Sequence, residues 1–143
     1  MAFLFDTDAV SETFKKKPAR AYVRWLNGIP RADQYTSTVV VGELYKGAFR
    51  SENVDRHLAN IEKRVLPSVT VIPYDLAAAR VYGQVRAELE KTGRSLADAD
   101  LQIAATALLH DLELVTGNVR HFDRVPGLRI CASLASARDQ PSA

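Results

Sequence analysis

Four side chains with oxygen donors stand where predicted elements begin or end, and their types suit binding of a divalent cation. Asp6 ends the first apolar run of the chain, where a carboxylate is costly to bury unless it is paired or bound to a cation. Glu43 lies one residue from the apolar face of a helical pattern, Asp100 stands at the start of another, and Asn118 follows a late apolar run. Mg²⁺ needs only a few such ligands because it retains several waters. A metal site forms here if the fold brings the four together.

Two of the acids, Asp98 and Asp100, are only two residues apart at the start of one helical pattern. Two residues turn a helix by about 200°, so the two carboxylates cannot face the same site. We expect Asp98 to be the N-cap or a carboxylate just outside the cation site. Asp100 is then the second helical residue, near N–H groups that favour a negative charge. For Asp8 and Asp75 the turn or N-cap interpretation is also favoured.

The elements that must position these residues alternate between strand and helix along 143 residues. Short apolar runs predict buried parallel strands, and patterns of helical period lie between them, which is typical of an α/β sheet. We expect one domain over residues 1–132 and a flexible polar tail over residues 133–143. The predicted strands are residues 2–6, 69–72, 112–116 and 128–130, and the predicted helices are residues 9–16, 20–26, 40–49, 54–65, 76–91 and 99–110.

Composition narrows the class of protein without naming a ligand. A net charge of +2 means that any attraction to nucleic acid depends on where the basic residues lie. The single cysteine, Cys131, excludes an intramolecular disulfide and forms no zinc-binding pattern with the three histidines. No leader-like segment or apolar run of membrane-spanning length is evident, so we expect a cytoplasmic protein.

Four segments together resemble one family. They are "FLFDTDAVSE", "VVVGELYKGAF", "DLQIAATALLHDLELVTGNVRHF" and "VPGL". In order and separation they resemble the PIN-domain ribonucleases, and specifically the VapC-like toxins of type II toxin–antitoxin systems. The resemblance spans about residues 2 to 130. It implies a three-layer α/β/α sandwich with a mainly parallel central sheet of four to five strands.

The resemblance also implies a function and a site. Asp6, Glu43 and Asp100 match the family's metal-binding acids, and we expect Asp6 and Asp100 to hold Mg²⁺ or Mn²⁺ directly. Asn118 occupies a position that is often a fourth acid, and this departure puts a second metal in doubt. The implied activity is that of an endoribonuclease in which a metal-activated water attacks phosphorus. A cognate antitoxin that inhibits the enzyme and a homodimeric state are implied by kinship alone.

Basic residues near the acids could rim an RNA groove or could form an ordinary solvated face. Those considered for the groove are Lys15, Lys16, Lys17, Arg20, Arg24, Lys46, Arg50, Arg120, His121 and Arg124. His121 is left outside the predicted catalytic set.

Two other functions stay open at this point. "FLFDTD" also fits the opening of haloacid-dehalogenase-like phosphatases, with Asp6 as nucleophile. Those enzymes need a threonine or serine at a strand end and then a lysine ahead of the late acid pair, whereas here Thr116 comes after Asp98 and Asp100 and no lysine follows it. A non-catalytic PIN module that binds RNA or a protein partner is favoured only by Asn118.

Overall fold

A parallel β-sheet forms the centre of the protein. The computed structural model describes residues 1–140, and within them five strands form one sheet in the order β3-β2-β1-β4-β5. Every strand pair described is parallel, which confirms the predicted α/β sandwich with four to five mainly parallel strands. The strands are β1 (Phe3–Phe5), β2 (Gln34–Ser37), β3 (Thr70–Ile72), β4 (Glu113–Val115) and β5 (Ile130–Cys131).

Helices join the strands and cover the sheet. Helix α6 packs along α7, and α2 packs against α9. No helix in residues 1–140 has both the length and the apolar character needed to cross a bilayer. The helices are α1 (Thr7–Glu12), α2 (Arg20–Asn27), α3 (Thr38–Arg50), α4 (Val54–Asn60), which continues through a π-helical turn (Ile61–Val65) into α5 (Leu66–Ser68), α6 (Leu76–Lys91), α7 (Asp98–Leu109), α8 (Val119–Phe122) and α9 (Ser133–Arg138).

The strand order changes direction between β1 and β4. From β1 the chain builds outward to β2 and β3, then returns to add β4 and β5 on the other side. Leu4 and Leu114 pair directly at this central position, and both are fully buried. In open parallel sheets the loops diverge at such a point and leave a crevice at the carboxyl ends of the strands. Asp6 directly follows β1 at that crevice.

Strand β2 is the one strand of the described sheet that the sequence patterns do not predict. Its residues are polar or aromatic, yet Thr36 and Ser37 are fully buried. The Thr36 hydroxyl donates to the Phe5 carbonyl at 2.9 Å, and the Ser37 hydroxyl caps α3 by accepting from the Val40 N–H at 3.2 Å. Hydrogen bonds replace apolar side chains here, so the usual apolar run is absent.

The prediction of a flexible tail from residue 133 is wrong for the first part of that segment. Residues Ser133–Arg138 form α9, in which Leu134 is fully buried and Ala137 nearly so. Leu134 and Ala137 are the only buried apolar residues of this helix, and two such residues among polar neighbours form a pattern too short to predict a helix. Residues 141–143 lie outside the described part of the chain.

Candidate active site

A cleft of about 430 Å³ opens at the carboxyl end of β1. The four predicted residues, Asp6, Glu43, Asp100 and Asn118, all line it. Thr7, Asp8 and His121 line it as well. The side chains come from the end of β1 and from α1, α3, α7 and the start of α8, so the fold joins residues that are far apart in sequence.

Asp6 is the most deeply placed acid in the cleft. Its N–H donates to the Val115 carbonyl at 3.1 Å, and its carboxylate caps α1 by accepting from the Ala9 N–H at 2.8 Å. Only 6% of the residue is exposed. Burial raises the pKa of Asp6 to about 6, with smaller contributions from Asp8 and Asp100, although hydrogen bonds from Thr116 and Ala9 oppose the rise. A carboxylate in this position gains from a nearby cation.

Glu43 reaches the cleft from the middle of α3. It is half-buried, and the hydroxyl of Thr7 donates a hydrogen bond to its carboxylate. Thr7 directly follows Asp6, so this bond ties the α3 glutamate to the end of β1. The sequence places both residues beside predicted elements but does not pair them.

Asp100 enters from the first turn of α7. Its Oδ2 lies 2.9 Å from His121 Nε2 on α8. Ala104, Ala105 and Ala107 are fully buried behind it, which brings the helix backbone close to its neighbours. His121, considered in the sequence only for the RNA groove, lines the same cleft as the acids. A lone histidine after a strand carries no pattern that would place it there.

The prediction that Asp98 caps α7 is wrong. Asp98 is the first helical residue, and the N-cap position belongs to Ala97, which makes no side-chain cap bond. The Asp98 carboxylate is largely exposed and accepts from the Tyr82 hydroxyl at 2.7 Å and from Arg86 at 2.8 Å. Asp98 therefore faces α6 whereas Asp100 faces the cleft, as the separation of two residues requires.

The remaining strand-end residues have local partners. Asp75 caps α6 by accepting from the Ala78 N–H at 3.0 Å, which confirms its N-cap interpretation.

Asp8 is instead a residue of the first turn of α1, and its carboxylate pairs with Arg138. Asn118 is the N-cap of α8 by position but makes no side-chain cap bond, and its N–H donates to the Thr116 hydroxyl at 3.0 Å.

The donor set of the cleft fits a hard divalent cation in an open site. Among the described residues, no Lys or Arg forms an ion pair with Asp6, Glu43 or Asp100. The same part of the chain also contains no group of three or more His, Cys, Asp or Glu side chains placed closely enough to hold a metal ion. Mg²⁺ usually takes one or two carboxylates from the protein and keeps its waters, so it does not require three such ligands.

The predicted RNA groove stays a prediction. Lys15, Lys16, Lys17 and Arg24 are exposed, but no basic Lys or Arg of the described residues lines the cleft itself.

Comparison with known proteins identifies the family. The PIN domain model matches residues 3–128. The chain is 40% identical over 129 residues to the tRNA(fMet)-specific endonuclease VapC of Shigella flexneri, covering 90% of this chain and 96% of that protein. VapBC2 from Rickettsia felis, solved with a DNA fragment from its promoter, is similar with a TM-score of 0.84 and 26% identity, over 92% of this chain and 98% of that one. A toxin–antitoxin complex from Klebsiella pneumoniae is similar with a TM-score of 0.67 and 27% identity, over 89% and 95% of the two chains.

These matches confirm the resemblance to the PIN-domain ribonucleases seen in the sequence. They argue against the alternative of a haloacid-dehalogenase-like phosphatase. The chain belongs to the PIN-domain family and, within it, to the VapC ribonucleases.

Proposed function

We propose that this VapC ribonuclease is an endoribonuclease that depends on Mg²⁺ or Mn²⁺ and hydrolyses RNA at the Asp6 cleft. The observation that supports the proposal is that three carboxylates, those of Asp6, Glu43 and Asp100, line one cleft and have no Lys or Arg partner among the described residues. The pKa of Asp6, raised by burial to about 6, indicates negative charge that the protein itself compensates poorly. A divalent cation supplies the missing compensation.

Asp6 and Asp100 would hold the cation, and Glu43 would complete the set of acids. When bound, the cation would lower the pKa of a water molecule so that this water can act as the nucleophile, and it would offset charge on the scissile phosphate. The Thr7 hydroxyl orients Glu43, and the His121 ring orients Asp100. Asn118 offers an amide where an acid is often found, which keeps the net negative charge low and favours one cation over two. No side-chain nucleophile is needed.

The relatives suggest which RNA and which partners to test first. Because the Shigella protein is named a tRNA(fMet)-specific endonuclease, we propose initiator tRNA as the first substrate to examine. The Klebsiella complex contains both a toxin and an antitoxin, so we propose that a cognate antitoxin inhibits this chain. A homodimer and a cytoplasmic location complete the proposal.

The test is RNA cleavage by the purified protein, freed of any bound partner, with the RNA ends mapped. We expect cleavage with Mg²⁺ or Mn²⁺ and none with chelator. Asp6→Asn and Asp100→Asn should abolish cleavage while the circular dichroism spectrum stays that of the wild type. Asp75→Asn is the matched control, because it makes the same change at an exposed N-cap where Asn caps as well as Asp. Full cleavage by Asp6→Asn would contradict the assignment of the site.

Asn118 supports one second candidate, a PIN module that binds RNA or a partner without cutting it. That alternative predicts that the wild type binds RNA but leaves every RNA intact with either cation.

A further inference from the structure

We propose that Arg138, on the C-terminal helix, is a positioning residue for the active site because it holds Asp8 out of the cation site. The inference rests on the proposed function, since it concerns the same cleft. Arg138 is 130 residues from Asp8 in the chain, yet its guanidinium donates to both Asp8 oxygens, at 2.7 Å and 2.8 Å. A bidentate pair of this kind fixes the carboxylate in direction as well as in charge.

The same guanidinium also binds Glu12. Its Nη2 and Nε donate to Glu12 Oε1 at 2.7 Å and 3.2 Å. Asp8 and Glu12 are four residues apart and therefore lie on one face of α1, which lets one arginine bridge both. Glu12 is buried and accepts further from Lys15 and from the Ala19 N–H, each at 2.9 Å. Arg138 therefore contacts α1 through a buried side chain, that of Glu12, as well as through Asp8.

The loop after β4 also packs against the ion pair between Arg138 and Asp8. Gly117 lies in the loop after β4, and a Cβ atom built there would collide with both Arg138 and Asp8. The absence of a side chain lets the loop lie directly against the ion pair. Gly117 stands between Thr116, whose hydroxyl hydrogen-bonds to Asp6, and Asn118, which lines the cleft. The ion pair therefore joins α1, α9 and the loop that carries two site residues.

The negative charge of Asp8 is the reason why its contact with Arg138 matters for the cation site. Asp8 lines the same cleft as Asp6, Glu43 and Asp100 and interacts unfavourably with Asp6. Without Arg138, Asp8 would be a fourth unpaired carboxylate at the cleft and would compete as a ligand with the wrong geometry. With Arg138 in place, Asp8 is neutralised and turned toward α9.

Arg138 also lies beyond the residues that the PIN domain model matches. The PIN model ends at residue 128, whereas α9 spans Ser133–Arg138. The contact is inferred from the structure of this chain and not from the match to the PIN domain model.

The test measures Mn²⁺ affinity and catalysis separately in Arg138→Ala. Mn²⁺ binding is followed by electron paramagnetic resonance of the free ion, without RNA. Freeing one carboxylate beside the site should tighten Mn²⁺ binding by about threefold. Misplaced coordination should lower kcat by about tenfold, whereas KM for RNA should stay within about twofold, because the Arg138 guanidinium is engaged with Asp8 and Glu12. Adding Asp8→Asn to Arg138→Ala should return Mn²⁺ affinity to the wild-type value. Arg138→Lys, which keeps the charge but not the bidentate fork, should recover kcat in part.

Arg129→Ala is the matched control, since Arg129 forms a comparable but exposed ion pair with Asp111 away from the cleft. It should leave Mn²⁺ affinity, kcat and KM unchanged. If Arg138→Ala does not fold, Gly117→Ala serves instead, because its methyl group pushes Arg138 and Asp8 apart without changing charge, and the same tighter binding and lower kcat are expected.

Two results would overturn the inference. One is wild-type Mn²⁺ affinity and kcat in Arg138→Ala. The other is weaker Mn²⁺ binding together with a lower melting temperature, which is the signature of a purely structural contact. Failure of the proposed function looks different, because the wild type itself would then neither bind Mn²⁺ nor cleave RNA.

Discussion

His121 Nε2 lies 2.9 Å from Asp100 Oδ2, although the two residues are 21 positions apart. The contact joins α8, which begins shortly after β4, to the first turn of α7. A carboxylate oxygen held from one side by an imidazole has a restricted orientation, and groups that orient metal ligands in this way affect affinity strongly.

Removing the imidazole should therefore weaken the site without removing a carboxylate. We expect His121→Ala to lower Mn²⁺ affinity and the cleavage rate by about tenfold each. His121→Gln, which keeps a hydrogen-bond donor of similar reach, should lose less. Calorimetric titration with Mn²⁺ measures the affinity directly. Equal affinity in the wild type and in His121→Ala would show that Asp100 needs no such support.

Thr7 should be a second positioning residue, through its hydrogen bond to Glu43. Thr7→Val keeps the shape of the side chain but loses the hydroxyl, so Glu43 loses its fixed direction. We expect a fall in kcat of about tenfold with KM for RNA unchanged. Thr7→Ser keeps the hydroxyl and is the matched control, with kcat near that of the wild type. Steady-state cleavage of a defined RNA provides both constants.

Asp6 should destabilise the metal-free protein above pH 6. Burial raises its pKa in the folded state to about 6 from an ordinary 3.8, so between these pH values the folded state binds more protons than the unfolded state. Stability therefore falls as pH rises from about 4 to 6, and the cost persists at higher pH. Asp6→Asn should stabilise the metal-free protein at pH 7.5 by up to about 3 kcal/mol, since one pKa unit corresponds to about 1.4 kcal/mol.

Urea unfolding in the presence of chelator measures this effect. The difference between Asp6→Asn and the wild type should shrink as the pH falls below 6 and approach zero near about pH 3, where the carboxyl group is protonated in both states. A difference that is independent of pH would mean that ionisation of Asp6 is not its cause. Asp75→Asn should show no comparable gain, because Asp75 is an exposed cap.

Glu12 should have the opposite pH dependence. Burial by itself raises its pKa, but hydrogen bonds from Lys15, Arg138 and the Ala19 N–H outweigh burial and lower the pKa from 4.5 to about 2. The unfolded state therefore binds more protons between these values, so the stabilisation is complete above about pH 4.5 and is lost as pH falls toward 2. Glu12→Gln should cost about 3 kcal/mol at pH 7.

The measurement is again urea unfolding, at pH 7, 4 and 3. The destabilisation by Glu12→Gln should decrease at each step toward acid. Glu90→Gln, at an exposed position of α6, should stay within about 0.5 kcal/mol of the wild type. A loss at pH 3 as large as that at pH 7 would argue against the charged Glu12 as its source.

Much of the site could be predicted from the sequence because its acids stand beside strong local patterns. Asp6 ends a strand whose three residues are all apolar and buried, and Asp100 opens a helix rich in buried alanines. Buried parallel strands need continuous apolar runs, and a helix that packs closely needs small residues, so each pattern is visible within a few residues. Glu43 and Asn118 were identified in the same way, together with the family resemblance.

The tertiary structure decided the elements whose stability depends on distant partners. Strand β2 is polar, and its buried Thr36 is satisfied by a carbonyl of β1, 31 residues away. The exposed orientation of Asp98 depends on Tyr82 and Arg86 of α6. Its carboxylate accepts hydrogen bonds from these two side chains instead of capping α7. Hydrogen bonds of this kind leave no period in the sequence, because either partner alone is an ordinary polar residue.

By itself, the sequence determined the fold class, the family and the acids of the cleft, since those follow from local apolar periodicity and from motifs in a fixed order. Only the tertiary structure placed His121 against Asp100 and Arg138 across Asp8 and Glu12. These contacts link segments up to 130 residues apart, and their formation depends on side-chain direction after the sheet has assembled. The acids of the cleft could therefore be predicted from the chain, whereas the side chains that contact them could not.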